Sequence, residues 1–406
     1  MRILTVGRGH ARPLWHGHPW VHARSVVGER RDDVASDDDV VRVDDEEGRV
    51  IGHGFESPGS ALRVRLLTWG AARPDVEALL AARVEAAVLL RQRLFPDADV
   101  TSTYRLVHAE GDRLPGLVVD RYGDVLVAQW ATAAMAARRE LLARQLLRTS
   151  GARTLVSRPA GYEAEEGIDE VSGAPVFELG APCPERIEVL EAGMRLVVEP
   201  RVGQKTGHFV DQRENRLRVA ELCAGRSVLD LYAGTGGFSV QALRAGADSS
   251  IAVDVSERSI ARAHEHAELA GVADRFEAHA VDVREAMTLL RDQRRRFDVV
   301  VVDPPSFFPK RGEARAAWKA YRELNVKALG RVAAAGGVLA TFVCSARMSA
   351  SELLETVRSA ARDCRRSFRV LRALEAGPDH PRAGDGDVGR YLAGWLLAVD
   401  PDEELT

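Results

Sequence analysis

Cysteine, lysine and long hydrophobic runs are scarce in this chain of 406 residues. The four cysteines show no CxxC spacing, which argues against both a zinc site and a disulfide framework. No apolar run approaches the roughly 20 residues needed to span a bilayer, and the N-terminus lacks the apolar stretch of a secretory signal. We therefore expect reduced thiols in a cytoplasmic protein without a membrane segment.

An excess of basic residues is also missing, because the net charge is -4 and the isoelectric point is about 6.3. A nucleic-acid-binding domain usually carries a strong basic footprint, so any RNA binding must come from local patches. Four histidines lie between His10 and His22, but they have no cysteine or regular ligand spacing beside them. The sequence therefore predicts no metal site.

Three regions follow one another along the chain, as its length also suggests. Residues 1–72 contain short β-rich runs separated by Gly and Asp turns, which is typical of a small β module. Residues 75–185 begin with a helical stripe, "PDVEALLAARVEAAVLLRQRLF". A hairpin around Tyr122-Gly123-Asp124 and the helix "MAARRELLARQLLR" follow, which predicts an α+β domain. Residues 186–406 alternate strand and helix, which predicts a doubly wound, Rossmann-like α/β sheet.

The clearest cofactor signal is the stretch "VLDLYAGTGGFSV", Val228 to Val240. An apolar strand ends near Asp230, and a turn containing Tyr232, Gly234 and Gly236 lets a ligand approach the backbone before a helix begins. The next strand ends at Asp254, where a carboxylate can bind ribose hydroxyls. A third strand places Asp282 where an adenine amino group could lie.

The glycine turn fits S-adenosylmethionine better than a dinucleotide. The glycines read GxGGxS and not GxGxxG, and Asp230 precedes them. A carboxylate there would repel a pyrophosphate but would suit the ammonium group of methionine. A tight turn without any ligand is the alternative interpretation.

The stretch "FDVVVVDPPSFFPK" predicts a buried strand that ends at Asp303. Pro304 and Pro305 cannot continue the sheet, so the chain enters a rigid turn at the sheet edge where ligands bind. Such a turn can present a carboxylate and carbonyls to the edge of a planar base, with Phe307 against the face of that base. The alternative is a rigid turn with Phe307 in the core.

The stretch "GGVLATFVCSARMSA" predicts another buried strand, which ends at Cys344. Carbon 5 of cytosine is a poor nucleophile, but a thiolate that adds to carbon 6 converts the ring into an enamine. A cysteine at this edge could supply that thiolate, although cysteine is also a common small core residue. Without such a cysteine, the Asp-Pro-Pro turn would suit methylation of an exocyclic amine.

With these motifs the chain resembles the RlmI-type large-subunit rRNA (cytosine-5) methyltransferases over nearly its whole length. The matching motifs are "HPWVHARSV", "SPGSALRVR", "YRLVHAEGDRLPGLVVDRYGD", "GQKTGHFVDQRENR", "YAGTGGF", "VDPPSFF", "YRELN", "TFVCSARMS" and "PDHPR". The resemblance implies a PUA RNA-binding domain, a central α+β domain and a C-terminal class I methyltransferase domain. It also implies S-adenosylmethionine as cofactor, large-subunit rRNA as partner and a tendency to form homodimers.

The resemblance also implies roles for single residues. Cys344 would be the nucleophile, and Asp303 would lie at the base and also contact the cofactor. In the family, the segment with "QKTGHFVDQR" closes over the methionine end of the cofactor, which implies contacts from Phe209, Gln212 and Arg213. A β-turn and a solvated helix face are the alternatives for this segment, and His380 is either a proton carrier or a solvated loop residue.

One departure from related enzymes limits the mechanism. RNA cytosine-5 enzymes with two cysteines carry the second thiol in the Asp-Pro-Pro turn, whereas this chain has none there, so the base that removes the C5 proton is not predicted. Two other functions stay open. They are an exocyclic N-methyltransferase and a noncatalytic RNA-binding or assembly factor.

Overall fold

The computed structural model describes residues 1–32, 39–161, 166, 168, 177–203, 205–308, 314–333, 335–383 and 388–401. The chain divides into two compact units that alternate along the sequence. The first unit contains Met1–Glu191, Val198–Val210 and Pro378–Gly389. The second contains Ala192–Val197, Asp211–Gly377 and Arg390–Thr406.

The first unit starts with a six-stranded sheet, which agrees with the predicted β-rich module. Its strands are β1 (Arg2–Val6), β2 (Trp20–His22), β3 (Val26–Arg31), β4 (Val40–Asp45), β5 (Val50–Glu56) and β6 (Leu62–Trp69). Their order is β2-β6-β5-β4-β1-β3, and β1 and β4 are the parallel pair. Helix α1 (Arg8–Trp15) follows β1.

A second sheet of five strands belongs to the same unit. It contains β7 (Thr103–His108), β8 (Leu117–Tyr122), β9 (Val125–Trp130), β10 (Thr154–Ser157) and β11 (Glu178–Gly180), in the order β11-β10-β9-β8-β7. Its helices are α2 (Val76–Leu94), α3 (Ala133–Ala137) and α4 (Arg139–Ser150). The predicted hairpin is confirmed, since β8 and β9 pair across a turn at Gly123, whose φ is +58°.

The single helix predicted for residues 135–148 is wrong, because the chain forms α3 and α4 with a break at Arg138. The Arg138 guanidinium pairs with Asp39 and lies 4.8 Å from the centre of the Phe55 ring. Contacts with distant parts of the chain therefore fix the break, and helical periodicity alone does not contain this information.

One hydrophobic core joins the two sheets of the first unit. Leu80 and Val84 of α2 pack with Phe55 and Leu67 from the first sheet, and with Leu106 from the second. All five side chains are almost fully buried, so each stabilises the unit by about 1.5–3 kcal/mol through removal of apolar surface from water. Strand β12 (Ile187–Glu191) ends the first stretch of this unit, and β13 (Met194–Val198) follows it.

The second unit is built around a seven-stranded sheet. Its strands are β14 (Ser227–Leu231), β15 (Ser249–Asp254), β16 (Phe276–Ala280), β17 (Val299–Val302), β18 (Gly337–Cys344), β19 (Phe368–Glu375) and β20 (Leu392–Val399). Their order is β16-β15-β14-β17-β18-β20-β19. The strands run parallel except β20, which is antiparallel to both neighbours. This arrangement confirms the predicted Rossmann-like α/β fold.

Helices cover this sheet, and their apolar sides form its core. They are α5 (Arg213–Ala220), α6 (Gly237–Arg244), α7 (Glu257–Leu269), α8 (Val283–Asp292), α9 (Ala314–Leu329) and α10 (Ala350–Asp363). Strand β14 lies between β15 and β17, so the strand order reverses at its carboxyl end. In open α/β sheets, ligands bind at such a switch point. Among the described residues, no helix combines the length and the apolarity needed to cross a membrane.

Candidate functional site

The carboxyl ends of β14, β15, β17 and β18 bring four predicted motifs to one edge of the second unit's sheet. These ends carry the glycine turn, Asp254, the Asp-Pro-Pro turn and Cys344. Parallel strands necessarily present their carboxyl ends at the same edge. Residues that are far apart in the sequence therefore become neighbours.

The glycine turn after β14 has an unusual backbone. Tyr232 has φ +62°, Gly234 has φ +52° and Gly236 has φ +77°. Left-handed backbone is uncommon for tyrosine and often marks a functional position. A Cβ atom placed on Gly234 would meet nothing within 4 Å, whereas one on Gly236 would lie 2.9 Å from Cβ of Ala263. Gly236 thus allows close packing on α7, and Gly234 leaves open space beside the turn.

Asp230 lies in β14 and is completely buried. Its Oδ2 accepts hydrogen bonds from the backbone N–H of Ser239 at 3.1 Å and from the Ser239 hydroxyl at 2.9 Å, while Oδ1 has no hydrogen-bond partner. Burial raises the pKa of the Asp230 carboxyl to about 7, although the bonds from Ser239 lower it. Asp230 therefore fixes the first turn of α6, and Ser239 is a partner that sequence reasoning missed.

Asp254 is held at the end of β15 by two backbone groups. Its Oδ2 accepts from Gly234 N–H, and its Oδ1 accepts from Ser256 N–H, both at 2.9 Å. The bond to Gly234 joins the predicted ribose acid directly to the glycine turn. Asp282 is exposed and caps α8, with its Oδ1 accepting from Arg284 N–H at 2.8 Å. One oxygen of Asp282 is therefore engaged in the cap.

The Asp-Pro-Pro turn follows β17 as predicted. Asp303 is half-buried, Pro304 is buried and Pro305 is exposed. The Phe307 ring is half-buried, and its centre lies 4.7 Å from that of Tyr321 and 6.5 Å from that of Tyr232. Phe307 packs against the core and keeps an exposed part, so the structure combines features of both interpretations of this residue.

Cys344 ends β18 and its thiol is half-buried beside Asp303. Its Sγ lies 3.7 Å from Asp303 Oδ1, a distance at which a thiol can donate a hydrogen bond. The other carboxylate oxygen, Oδ2, accepts from Gln212 Nε2 at 3.0 Å. Asn215 Nδ2 in turn donates to Gln212 Oε1 at 2.6 Å. Sequence reasoning missed Asn215, although its three-residue spacing from Gln212 on a helix could have indicated the pair.

Tyr321 is a second residue that sequence reasoning did not select. It lies on α9 within the "YRELN" motif and is fully buried. Its hydroxyl faces the backbone of Phe307 without a hydrogen bond of normal geometry. Burial, together with the nearby Cys344 and Asp303, raises the pKa of this hydroxyl. The Tyr321 ring therefore packs against Phe307, and its hydroxyl adds an uncharged polar group near Cys344.

The other predicted residues are divided between the two units. Arg213 is buried in the second unit, with its Nε 3.3 Å from Glu214 Oε1. Phe209 lies in the first unit, where Lys205 Nζ is 4.3 Å from the centre of its ring. His380 is also buried in the first unit, and its Nδ1 lies 3.1 Å from Asp379 Oδ1.

Hydrogen bonds hold the described part of the predicted cofactor segment, residues 205–209, in place. Thr206 and His208 are buried, and His208 N–H donates to the Tyr122 hydroxyl at 3.0 Å. Thr206 also pairs with Asp120 through its hydroxyl. These contacts fix the segment on the second sheet of the first unit.

Comparison with known proteins assigns families to both parts of the chain. Residues 142–391 match the family described as S-adenosylmethionine-dependent methyltransferase, and residues 4–69 match the PUA-like domain. A ribosomal RNA large subunit methyltransferase I from Shewanella denitrificans is 33% identical over 96% of this chain and 98% of its own length. The protein of the same name from Klebsiella pneumoniae is 30% identical over 98% of each chain.

Solved structures show the same fold over almost the entire chain. A protein from Streptococcus mutans, assigned as a SAM-dependent methyltransferase, has a TM-score of 0.83 at 21% identity. It covers 98% of this chain, which covers 100% of that structure. Another structure, assigned as a methyltransferase complexed with SAH, has a TM-score of 0.84 at 20% identity with the same coverage. These likenesses confirm the fold.

Proposed function

Since this chain belongs to the S-adenosylmethionine-dependent methyltransferases and to the family of ribosomal RNA large subunit methyltransferase I, we propose that it forms 5-methylcytosine in large-subunit ribosomal RNA. The names of the relatives support the choice of RNA. The choice of carbon 5 depends on one observation, the 3.7 Å approach of Cys344 Sγ to Asp303 Oδ1. A thiol at this edge is useful for attack on cytosine C6 but unnecessary for methylation of an amine.

The second unit contains residues that fit the cofactor. Gly234 leaves open space, and Asp254 is already hydrogen-bonded to the glycine turn. We assign Tyr232, Gly234, Gly236, Asp254 and Asp282 to this cofactor site. When bound, S-adenosylmethionine supplies an electrophilic methyl group.

Cys344 and Asp303 together activate the cytosine ring for methylation. In the proposed step the thiol S–H bond breaks, its proton passes to Asp303 Oδ1 and a bond forms between Sγ and cytosine C6. The ring electrons move toward N3, which takes this proton from Asp303, and C5 becomes nucleophilic enough to accept a methyl group. The C5 proton then leaves to water and the S–C6 bond breaks, while the N3 proton returns through Asp303 to Sγ and restores the thiol. The prolines and Phe307 would hold the base at this edge.

The N-terminal domain supplies a surface for the RNA. Residues 1–28 contain no Asp or Glu, and Arg12 and Arg24 are exposed. Trp15, on the same short helix as Arg12, is 43% exposed and could stack on a base. Burial, followed by the charge of Arg24 and of neighbouring histidines, lowers the pKa of His22, so cationic groups are crowded here. We also propose that the chain forms three domains, at residues 1–72, 75–185 and 186–406.

The test is methyl transfer from labelled S-adenosylmethionine to unmodified large-subunit rRNA, followed by nucleoside analysis. We expect labelled 5-methylcytosine from the parent and none from Cys344→Ala. Cys364→Ala is the matched control, because Cys364 is also half-buried but lies at the end of α10. A labelled exocyclic amine, or full activity in Cys344→Ala, would refute the proposal and favour N-methylation at the Asp-Pro-Pro turn.

A further inference from the structure

A chain of three side-chain contacts leads from helix α5 to the reactive thiol. Asn215 donates to Gln212, Gln212 donates to Asp303, and Cys344 approaches the other oxygen of Asp303. Asn215 and Gln212 are each only 2% exposed. Two buried amides aligned in this manner are not needed to form α5, whose remaining turns are held by backbone bonds.

The direction of these hydrogen bonds indicates which protonation state of Asp303 they favour. A glutamine amide has one accepting and one donating end, and Asn215 Nδ2 occupies the accepting end at 2.6 Å. Gln212 must therefore present N–H to Asp303, and this arrangement stabilises an ionised carboxylate. If Asn215 turned around, Gln212 would present oxygen to the carboxylate and repel it. The three-residue spacing of Gln212 and Asn215 places both on one face of the first turn.

We propose that Gln212 and Asn215 are positioning residues that keep the Asp303 carboxylate ionised and directed at the Cys344 thiol. The inference rests on the proposed cytosine-5 activity and concerns how its proton acceptor is prepared. The N–H of Gln212 holds Oδ2, and Oδ1 is the oxygen beside the thiol that receives its proton as the S–C6 bond forms. The resemblance to the family instead implies a cofactor contact for Gln212, so the two roles can be separated experimentally.

Among the described residues, other titratable groups lie near Asp303, and the experiment must separate their effects. They are the Cys344 thiol, the buried Asp230 carboxyl and the Tyr321 hydroxyl. Burial raises the pKa of Asp230 to about 7, so its titration falls in the range of an acid limb. Profiles are therefore recorded both in the parent sequence and in the Asp230→Asn background.

The main test is the pH dependence of single-turnover methyl transfer to rRNA at saturating S-adenosylmethionine. Loss of a hydrogen bond to the ionised carboxylate makes Asp303 easier to protonate, so Gln212→Leu should move the acid limb upward by about one pH unit. Asn215→Ala should move it in the same direction by less. The matched control is Gln241→Leu, because Gln241 is also buried on a helix of this unit but accepts from Arg244. Its profile should coincide with that of the parent.

A double-mutant cycle shows whether Gln212 acts through Asp303. In the parent, Gln212→Leu should slow methyl transfer about tenfold or more. In the Asp303→Asn background, the same substitution should change the rate of methyl transfer less than twofold. If Gln212→Leu does not fold, Asn215→Ala takes its place in the cycle. Independent effects, an unmoved acid limb, or a loss confined to S-adenosylmethionine affinity in a calorimetric titration would overturn the inference. Failure of the proposed function is distinguishable, since it would show as unchanged product in Cys344→Ala.

Discussion

Cys344 and Asp303 are separated by 41 residues in the sequence, yet the thiol sulfur lies 3.7 Å from a carboxylate oxygen. The pairing of β17 with β18 creates this proximity, because the two strands run parallel with Val302 opposite Thr341. Each strand then ends within three residues of that pair. The proposed nucleophile and its proposed proton acceptor are therefore placed by strand register, which does not depend on a flexible loop.

Alkylation should distinguish the thiol at this edge from the structural cysteines. Burial raises the pKa of the Cys223 thiol to about 12 and also raises the pKa of Cys183 and Cys364. Because thiolates are the reactive species, we expect iodoacetamide at pH 8 to label half-buried Cys344 at least about tenfold faster than Cys223. Peptide mass spectrometry over time measures both rates in one sample. Equal labelling of Cys223 would contradict this assignment.

Replacement of Asp303 by asparagine should affect chemistry more than cofactor binding. The variant keeps the size of the side chain but cannot accept the thiol proton, so single-turnover methyl transfer should fall by about 100-fold. The dissociation constant for S-adenosylmethionine, measured by calorimetry, should change much less. A loss of affinity that accounts for the entire loss of rate would instead assign Asp303 to the cofactor.

The buried Asp230 carboxyl should make stability fall as pH rises. Its folded pKa, about 7, exceeds the ordinary value of 3.8, so the folded protein binds a proton that the unfolded chain releases. This contribution to stability is complete below about pH 4, declines between pH 4 and 7, and is flat above. Between pH 4 and 8, the unfolding free energy of the parent should fall by on the order of 3 kcal/mol relative to that of Asp230→Asn. Urea unfolding of both proteins measures the difference.

Glu352 offers a control of opposite sign for that experiment. Hydrogen bonds from the backbone N–H and hydroxyl of Ser349 lower the pKa of the Glu352 carboxyl. The contribution of Glu352 to stability is present above its unfolded pKa and is lost as pH falls. The difference in unfolding free energy between the parent and Glu352→Gln should therefore become smaller in acid. If the unfolding free energies of Asp230→Asn and Glu352→Gln, relative to the parent, changed in the same direction with pH, a nonspecific effect of acid on stability would explain both.

Two glycine substitutions should separate cofactor binding from folding. In Gly236→Ala the new methyl carbon would lie 2.9 Å from Ala263 Cβ at a φ of +77°, so unfolding free energy should fall by about 1–3 kcal/mol. In Gly234→Ala the methyl group enters open space, so the stability loss should stay near 1 kcal/mol. If that space receives the cofactor, Gly234→Ala should weaken S-adenosylmethionine binding at least tenfold. Unchanged binding in Gly234→Ala would place the cofactor elsewhere.

The α/β fold of the second unit and the positions of its motifs could be predicted from the amino-acid sequence. Valine-rich runs predict buried strands, and the prolines after Asp303 and the glycines after Asp230 fix where two of those strands end. The helix α2 and the hairpin at Gly123 followed from local periodicity and turn chemistry for the same reason. Such signals are local and are readable without the fold.

Which of these residues come into contact depends on the tertiary structure. No local pattern distinguishes the buried Asp230, whose carboxylate caps the Ser239 turn, from the half-buried Asp254. The pairing of Gln212 with Asp303, 91 residues away, likewise depends on the packing of α5 against the sheet edge. The break at Arg138 has the same origin, because its partner Asp39 is 99 residues away, in the turn before β4. Burial and strand register are properties of the whole packed unit, and they set both the contacts and the proton affinities on which the proposed chemistry depends.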